Sequence, residues 1–460
     1  MSKQVTTLSL GTDSLSRLLP KYAIPAIIAM TSTSLFNIID SIFIGHGVGA
    51  LAISGMALTM PIMNVAAAFG SMVGVGAAAI TSIRLGQGNV QAAERTLGNV
   101  VLLNILLGLA IGIAGIILLD PILYFFGASE QTISYAREFM QVILAGNCVT
   151  HLYLGLNELM RASGYPQKSM YAMLLSVAVN CVLNPLFIFK FGWGIRGSAL
   201  STVIAQCAAL SISLHHFSRR DSFVHFKRGI FRLRARIVGS IISIGLAPFL
   251  MNICASIVVI FVNKALMTYG GDLDIGAFGI INRMAMLFIM IVLGLNQGMQ
   301  PIVGYNYGAR KYDRVVKAYF ITVSCALCIT TVGFLISRLF PVQVAHLFVG
   351  GEDADAGALV EAVVFGMKYT MMMFWLVGFQ IVTGNFFQYI GKPKRAILIS
   401  MTRQMLFLVP LLIILPPRIG VTGVWVAQPI ADTMSAILAA ALIFFQIRRL
   451  RRNPDSERSI

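Results

Sequence analysis

The sequence predicts an all-α integral membrane protein in which twelve transmembrane helices form two six-helix lobes related by an internal repeat. Three observations lead there. Of 460 residues, 57% are hydrophobic and 12% charged, where soluble domains carry about 25% charged residues. Apolar runs of roughly 20 residues, the length of helix that crosses about 30 Å of hydrocarbon, recur from end to end. Short Gly- and Pro-containing signatures appear in the same order in both halves of the chain.

The spans are expected at about 17–43, 51–82, 93–118, 132–157, 165–189, 195–217, 237–268, 275–303, 314–338, 359–387, 395–415 and 421–446. The first seventeen residues are polar, include Asp13 and lack a short apolar core with a cleavage site. The first apolar stretch therefore reads as a span and not as a cleavable leader. Charge orients the rest. Arg84 and Arg95, Arg161 and Lys168, the stretch Arg219 to Arg236, Arg310 to Lys317, Lys392 to Arg395 and Arg448 to Arg452 fall on one side. Asp120, Glu130, Asp272, Asp274, Glu352, Asp353 and Asp355 fall on the other, with few bases (Lys190, Arg196, Arg418). By the positive-inside rule the basic side, with both termini, is expected to be cytoplasmic. The net charge of +17 thus belongs to interspan loops and implies no nucleic-acid partner.

The repeat follows from spacing. Gly76 and Gly86 precede a basic loop, as do Gly298 and Gly308, at an offset of 308 − 86 = 222. Arg161-Ala-Ser-Gly164-Tyr-Pro166-Gln-Lys168 is matched by Gln388-Tyr-Ile-Gly391-Lys-Pro393-Lys-Arg395, and Gly194-Ile-Arg-Gly197 by Gly420-Val-Thr-Gly423. Six helices repeated in one orientation predict an N-terminal lobe over 1–218, a basic linker over 219–236 and a C-terminal lobe with a basic tail over 237–460. Two related lobes about a central cavity suit alternating access.

Polar groups inside the spans are the functional candidates. A carboxylate in hydrocarbon costs about 2.5–3.5 kcal/mol on insertion scales, and Asp40 lies within the first span. Asn180 and Asn184, four apart, share a face of the fifth span just before Pro185, and Thr202 and Gln206 share a face of the sixth. At about 1.5 Å per residue, Asp40, Asn180, Asn184 and Thr202 fall at similar depth near the acidic side. A carboxylate with amide and hydroxyl oxygens suits a proton or a small hard cation; helix bridging is the alternative for the amides. Asp432 is the mid-span carboxylate of the second half, and either function or a helix–helix hydrogen bond accounts for it. Glu158 and Arg161 are spaced for a local ion pair, while Lys264, Arg283 and Arg403 are expected to snorkel or pair. The six cysteines, a C-x-x-C at Cys325 and Cys328 included, read as packing residues. Phe36 and the run Met371 to Trp375 are candidates for soft cavity walls.

Asn37-Ile-Ile-Asp40-Ser-Ile-Phe-Ile-Gly45, Asn180-Cys-Val-Leu-Asn184-Pro185, Gly194-Ile-Arg-Gly197-Ser-Ala-Leu-Ser-Thr202 and Gly294-Leu-Asn-Gln297-Gly-Met-Gln300-Pro301-Ile-Val-Gly-Tyr305-Asn306-Tyr-Gly308 resemble multidrug and toxic compound extrusion (MATE) transporters, and among them the DinF-like branch. The likeness covers nearly the whole chain. It implies export of cationic, amphiphilic compounds against inward Na⁺ or H⁺, across the inner membrane of a bacterium. The family's cation site maps to Asp40, Asn180, Asn184 and Thr202, and cavity positions are expected at Phe36, Asn37, Gln206, Gln297, Gln300 and Tyr305. Asn184 stands where the family usually has an aspartate, which leaves one carboxylate and makes H⁺ coupling through Asp40 as suitable as Na⁺.

No cofactor is expected beyond the coupling ion, and no resident metal. The expected partners are the bilayer and a small amphiphilic molecule, with one chain sufficient. A flippase for a lipid-linked or amphiphilic metabolite is the alternative, and it calls for several basic residues in the cavity. An intramembrane enzyme would need paired carboxylates, a histidine pair or a Ser/His dyad at matching depth, and the spans offer none.

Overall fold

The computed structural model describes residues 9–48, 50–126, 129–348 and 354–452. Among these residues, twelve membrane-length elements coincide with the twelve expected spans. The first six are α1 (Leu15–Gly47), α2 (Ala50–Gly86), α3 (Val90–Ile117), α4 (Ile133–Ala145 and Asn147–Ala162, bent by 54°), α5 (Pro166–Pro185, continued by a π-helical turn Leu186–Lys190) and α6 (Gly194–Ser218). The second six are α7 (Ala235–Tyr269), α8 (Asp272–Gly308), α9 (Tyr312–Leu339), α10 (Ala354–Thr370 and Phe374–Tyr389, bent by 55°), α11 (Pro393–Met401, π-helical Thr402–Leu408, then Val409–Ile414) and α12 (Val421–Arg452). All but α1 meet a strict test of length and apolarity, and α1 is a continuous helix of 33 residues.

Prolines account for the irregularities of α5 and α11. Pro185 has no N–H to give, and immediately after it the hydrogen-bond register slips, so that Phe191 N–H reaches the Leu186 carbonyl five residues back at 3.1 Å. In α11 the π segment runs into Pro410, and Val409 N–H bonds the Gln404 carbonyl, again five back. Each lobe thus carries a π segment in the equivalent helix, a distortion often found beside functional groups.

The lobes interlock at the basic face. Leu15, Leu18, Tyr22 and Ala23 from the start of α1 are buried in an apolar cluster with α8, α9, α10 and α12 of the second lobe. Reciprocally, Ile241 and Ile244 from the start of α7 are buried among α2, α3 and α4 of the first. Glycines allow the approach. A methyl group at Gly86 would lie 1.9 Å from the Tyr305 carbonyl oxygen, and one at Gly308 would lie 2.1 Å from that of Ile83. The offset of 222 carries Ile83 to Tyr305 and Gly86 to Gly308, so the repeat seen in sequence is a pseudo-twofold contact in space. Gly76 meets the Ile241 carbonyl and Gly245 that of Met72 in the same manner. Arg314 and Lys311 bind the backbone carbonyls of Leu10, Gly11 and Asp13, which ties the N-terminal segment to the second lobe.

Candidate functional site

Asp40 lies near the end of α1 remote from the basic face. Its Oδ1 accepts hydrogen bonds from Asn184 Nδ2 on α5 and from Ser198 Oγ on α6, the latter at 3.1 Å. The carbonyl of Ser198 accepts from Ser201 Oγ (2.8 Å) and Thr202 Oγ1 (3.1 Å). Those hydroxyls reach Asn180: Ser201 donates to its Oδ1 at 3.1 Å, and its Nδ2 donates to Thr202 Oγ1 at 3.0 Å. One connected network therefore joins α1, α5 and α6. It contains all four residues expected from helix depth, and Asn180, Asn184, Ser198 and Ser201 are buried.

Ser198 and Ser201 are the members missed by sequence reasoning. Both stand within the Gly194–Thr202 stretch, and the spacing of four between Ser198 and Thr202 was the available signal. Asn184 Oδ1 is fully buried and has no hydrogen-bond partner among the described residues. A buried acceptor without a donor is costly, by about 1–3 kcal/mol. Asp40, Asn184, Asn180 and Thr202 together carry oxygen atoms of the kind a small hard cation takes, with Asn184 turning its Nδ2 rather than this oxygen to the carboxylate. The same carboxylate, already receiving two hydrogen bonds, can instead take a proton.

The expected cavity residues do not converge. Phe36 and Asn37 lie on α1, and their side chains are outside the described residues. Gln206 accepts from Thr150 Oγ1 on α4 at 2.5 Å and so bridges helices within its lobe. Gln297 accepts from Arg161 Nη1 at 2.7 Å, across the seam between the lobes. Gln300 is 1% exposed, and Tyr305 packs at the basic-face seam with its carbonyl against Gly86. Tyr305 is thus a seam residue and Gln300 a buried one in this conformation, and neither lines an open cavity among the described residues. The reason is the close approach of α8 to α1 and α2 through Gly294, Gly298 and Gly304, which sequence alone does not display. Met371 and Phe374 are likewise buried in the second lobe's core.

Arg161 pairs with Glu158, as the spacing predicts, and its further bond to Gln297 makes the pair a latch between lobes. In the second lobe Asp432, 2% exposed, is paired: Arg403 Nε on the π segment of α11 donates to its Oδ1 at 2.7 Å. Gln380 Nε2 donates to the Asp432 carbonyl at 2.5 Å. Arg403 also borders a small cavity of about 50 Å³ with Gln380, Asn385, Gln388 and Gln404.

Two pseudo-symmetric helical lobes locked at one face, with a polar network sunk into the other end of the first, define a multi-pass membrane transport protein. The MatE family profile matches residues 25–186 and 244–414, one block in each lobe, and the chain belongs to that family. It is 27% identical over 429 residues to the multidrug export protein MepA of Staphylococcus aureus strain MRSA252, a match covering 93% of each chain. The structure superposes with a TM-score of 0.91 and 25% identity on one described as an outward-facing conformation of a multidrug resistance MATE family transporter, over 97% of this chain and 99% of that one. A MOP superfamily transporter from Pyrococcus furiosus, described as having a binding pocket of reverse polarity that suggests a different function, superposes with a TM-score of 0.90 and 26% identity over 97% and 98%.

Proposed function

We propose that the protein is a secondary antiporter that exports amphiphilic organic compounds, preferentially cations, in exchange for inward H⁺ or Na⁺ bound at Asp40. The basic face is cytoplasmic in this reading, and the membrane is the inner membrane of a bacterium. The observation that carries the proposal is the bridging position of Asp40 Oδ1. It holds α1 to α5 and α6, so neutralising the carboxylate with a proton or a cation changes the packing of α1 on its own lobe. The opposite half of α1 is embedded in the second lobe, and Pro25 lies between the two attachments. A change at Asp40 is thereby transmitted to the seam. At about 100 mV each net charge moved inward per substrate supplies about 2.3 kcal/mol, enough for roughly a fiftyfold substrate gradient; for a monovalent cation this takes two coupling ions.

The flippase alternative calls for several basic residues in the cavity. Of Arg161, Arg403, Lys264 and Arg283, the first two are each held by a carboxylate, which leaves the exposed Lys264 and Arg283 for such a substrate and favours the antiporter.

Ethidium efflux from cells expressing wild type or Asp40→Asn, with external pH and Na⁺ varied separately, tests the proposal. Wild type is expected to export under one of the two gradients and the variant to fail. Equal export by both proteins removes Asp40 from coupling. Failure of wild type to move any organic cation under either gradient refutes the drug-export reading and favours a lipid or metabolite substrate.

A further inference from the structure

We infer that the basic face carries a phosphate-binding site where the two lobes meet. A cavity of about 1060 Å³ opens there. Five arginines border it from both sides of the seam: Arg84 in the last turn of α2, Arg95 on α3, Arg234 and Arg236 at the start of α7, and Arg310 just after α8. The positive-inside rule accounts for bases in loops on this face, but not for their convergence on one cavity from four places in the chain.

Two further observations point to an anion. Among the described residues no carboxylate lies within ion-pair distance of Arg84, Arg95, Arg234 or Arg236; the partner of Arg84 is the neutral Gln87, at 3.0 Å. The nearby acid, Glu94, is engaged by Lys227 at 2.7 Å and faces His225. Arg310, moreover, has φ 57°, the left-handed region, and no other non-glycine residue does so among those described. The repeat places Gly88, φ 73°, at the equivalent position 222 residues earlier. A glycine there is free of the clash that a Cβ brings, so the second lobe retains an arginine where the backbone favours glycine.

The chemistry that fits is a group with two or more phosphate charges, held by planar guanidinium forks. Its source is either the headgroup of an anionic phospholipid in the adjoining leaflet or a soluble phosphate compound. Bound there, it bridges Arg84 and Arg95 of the first lobe to Arg236 and Arg310 of the second and opposes their separation. Binding is read without transport, so this inference stands or falls apart from the antiporter assignment.

The test uses the full chain in two arms. Pyrophosphate binding to detergent-solubilised protein is measured by calorimetry, and thermal stability is compared in phosphatidylcholine discs with and without phosphatidylglycerol. Wild type is expected to bind pyrophosphate, to be stabilised by phosphatidylglycerol, or both. The first result alone assigns a soluble ligand and the second alone a lipid headgroup. Each arginine removed is expected to weaken binding about fivefold, so Arg84→Gln with Arg236→Gln loses roughly 25-fold, whereas the exposed pair Arg451→Gln with Arg452→Gln on the tail of α12 changes nothing. Arg84→Lys with Arg236→Lys keeps the charge and is expected to retain most of the binding. If neither anion acts on wild type, or if the tail variant loses as much as the cavity variant, the site does not exist.

Discussion

Gly308→Ala puts the interlocked seam to a quantitative test. The added methyl would stand 2.1 Å from the Ile83 carbonyl oxygen and 2.9 Å from its carbon. Ordinary contact needs about 3.4 Å, and neither neighbour can rotate away, because both belong to the backbone of α2. The helices must therefore part by about 1 Å where the lobes are closest. Overpacking of this kind costs about 1–3 kcal/mol. The helix preference of alanine over glycine acts equally on the open and closed seam, since α8 is helical in both, so about 1–3 kcal/mol stands against the closed seam, a roughly 5- to 150-fold shift in its equilibrium. A cysteine placed at Ser82, which is buried against Gly304, reports the opening. In an otherwise cysteine-free background, maleimide labelling of solubilised protein is expected to accelerate by that factor when Gly308→Ala is added. Gly86→Ala should do the same, because the contact is pseudo-symmetric. Unchanged labelling with an unchanged melting temperature would refute the argument, and slower labelling would reverse it.

Other expectations can be checked alongside. Ser198→Ala removes one of the two donors to Asp40 and leaves the carboxylate in place; efflux should fall but persist, and its dependence on external pH should shift relative to wild type, which a purely structural role would not produce. Asn184→Asp supplies the second carboxylate usual in the family, and Na⁺-dependent thermal stabilisation should strengthen; no change would argue that Asn184 Oδ1 takes no part in holding a cation. Removing one partner of the buried Arg403–Asp432 pair should cost about 3–5 kcal/mol, read as a drop in melting temperature for Arg403→Met, with much of it recovered in Arg403→Met combined with Asp432→Asn. Glu94→Gln releases Lys227 and should make the 219–234 connection markedly more sensitive to trypsin, with little effect on the melting of the bundle.

Much of the molecule is written in one dimension. Membrane spans are set by hydropathy over about 20 residues, since each helix satisfies its own backbone hydrogen bonds and needs only an apolar surface toward lipid. The twelve spans, the repeat at an offset of 222, the Glu158–Arg161 pair and the set of Asp40, Asn180, Asn184 and Thr202 all follow from spacing and depth along single helices. Ser198 and Ser201 escaped because serines are common in membrane helices and carry no burial cost comparable to that of Asp40.

What only the tertiary structure decided concerns pairs of helices far apart in the chain. Division by sequence puts α1 wholly in the first lobe and α7 wholly in the second, yet the starting half of each is buried in the other lobe, because close approach is governed by small residues on both partners at once. Gly86 meets Tyr305 and Gly308 meets Ile83 through backbone atoms that have no signature in side-chain pattern. Gln297 and Tyr305, expected in the cavity from the family resemblance, meet the other lobe for the same reason: a sequence motif marks a residue but not whether the surface it occupies faces a cavity or the opposite lobe. The sequence by itself determined the class, the spans and the carboxylate within the first span, each a property of one helix in lipid. The Arg403–Asp432 pair depends on how α11 and α12 pack within the second lobe, and the seam and the convergence of arginines on one cavity exist only once the two lobes have closed on each other.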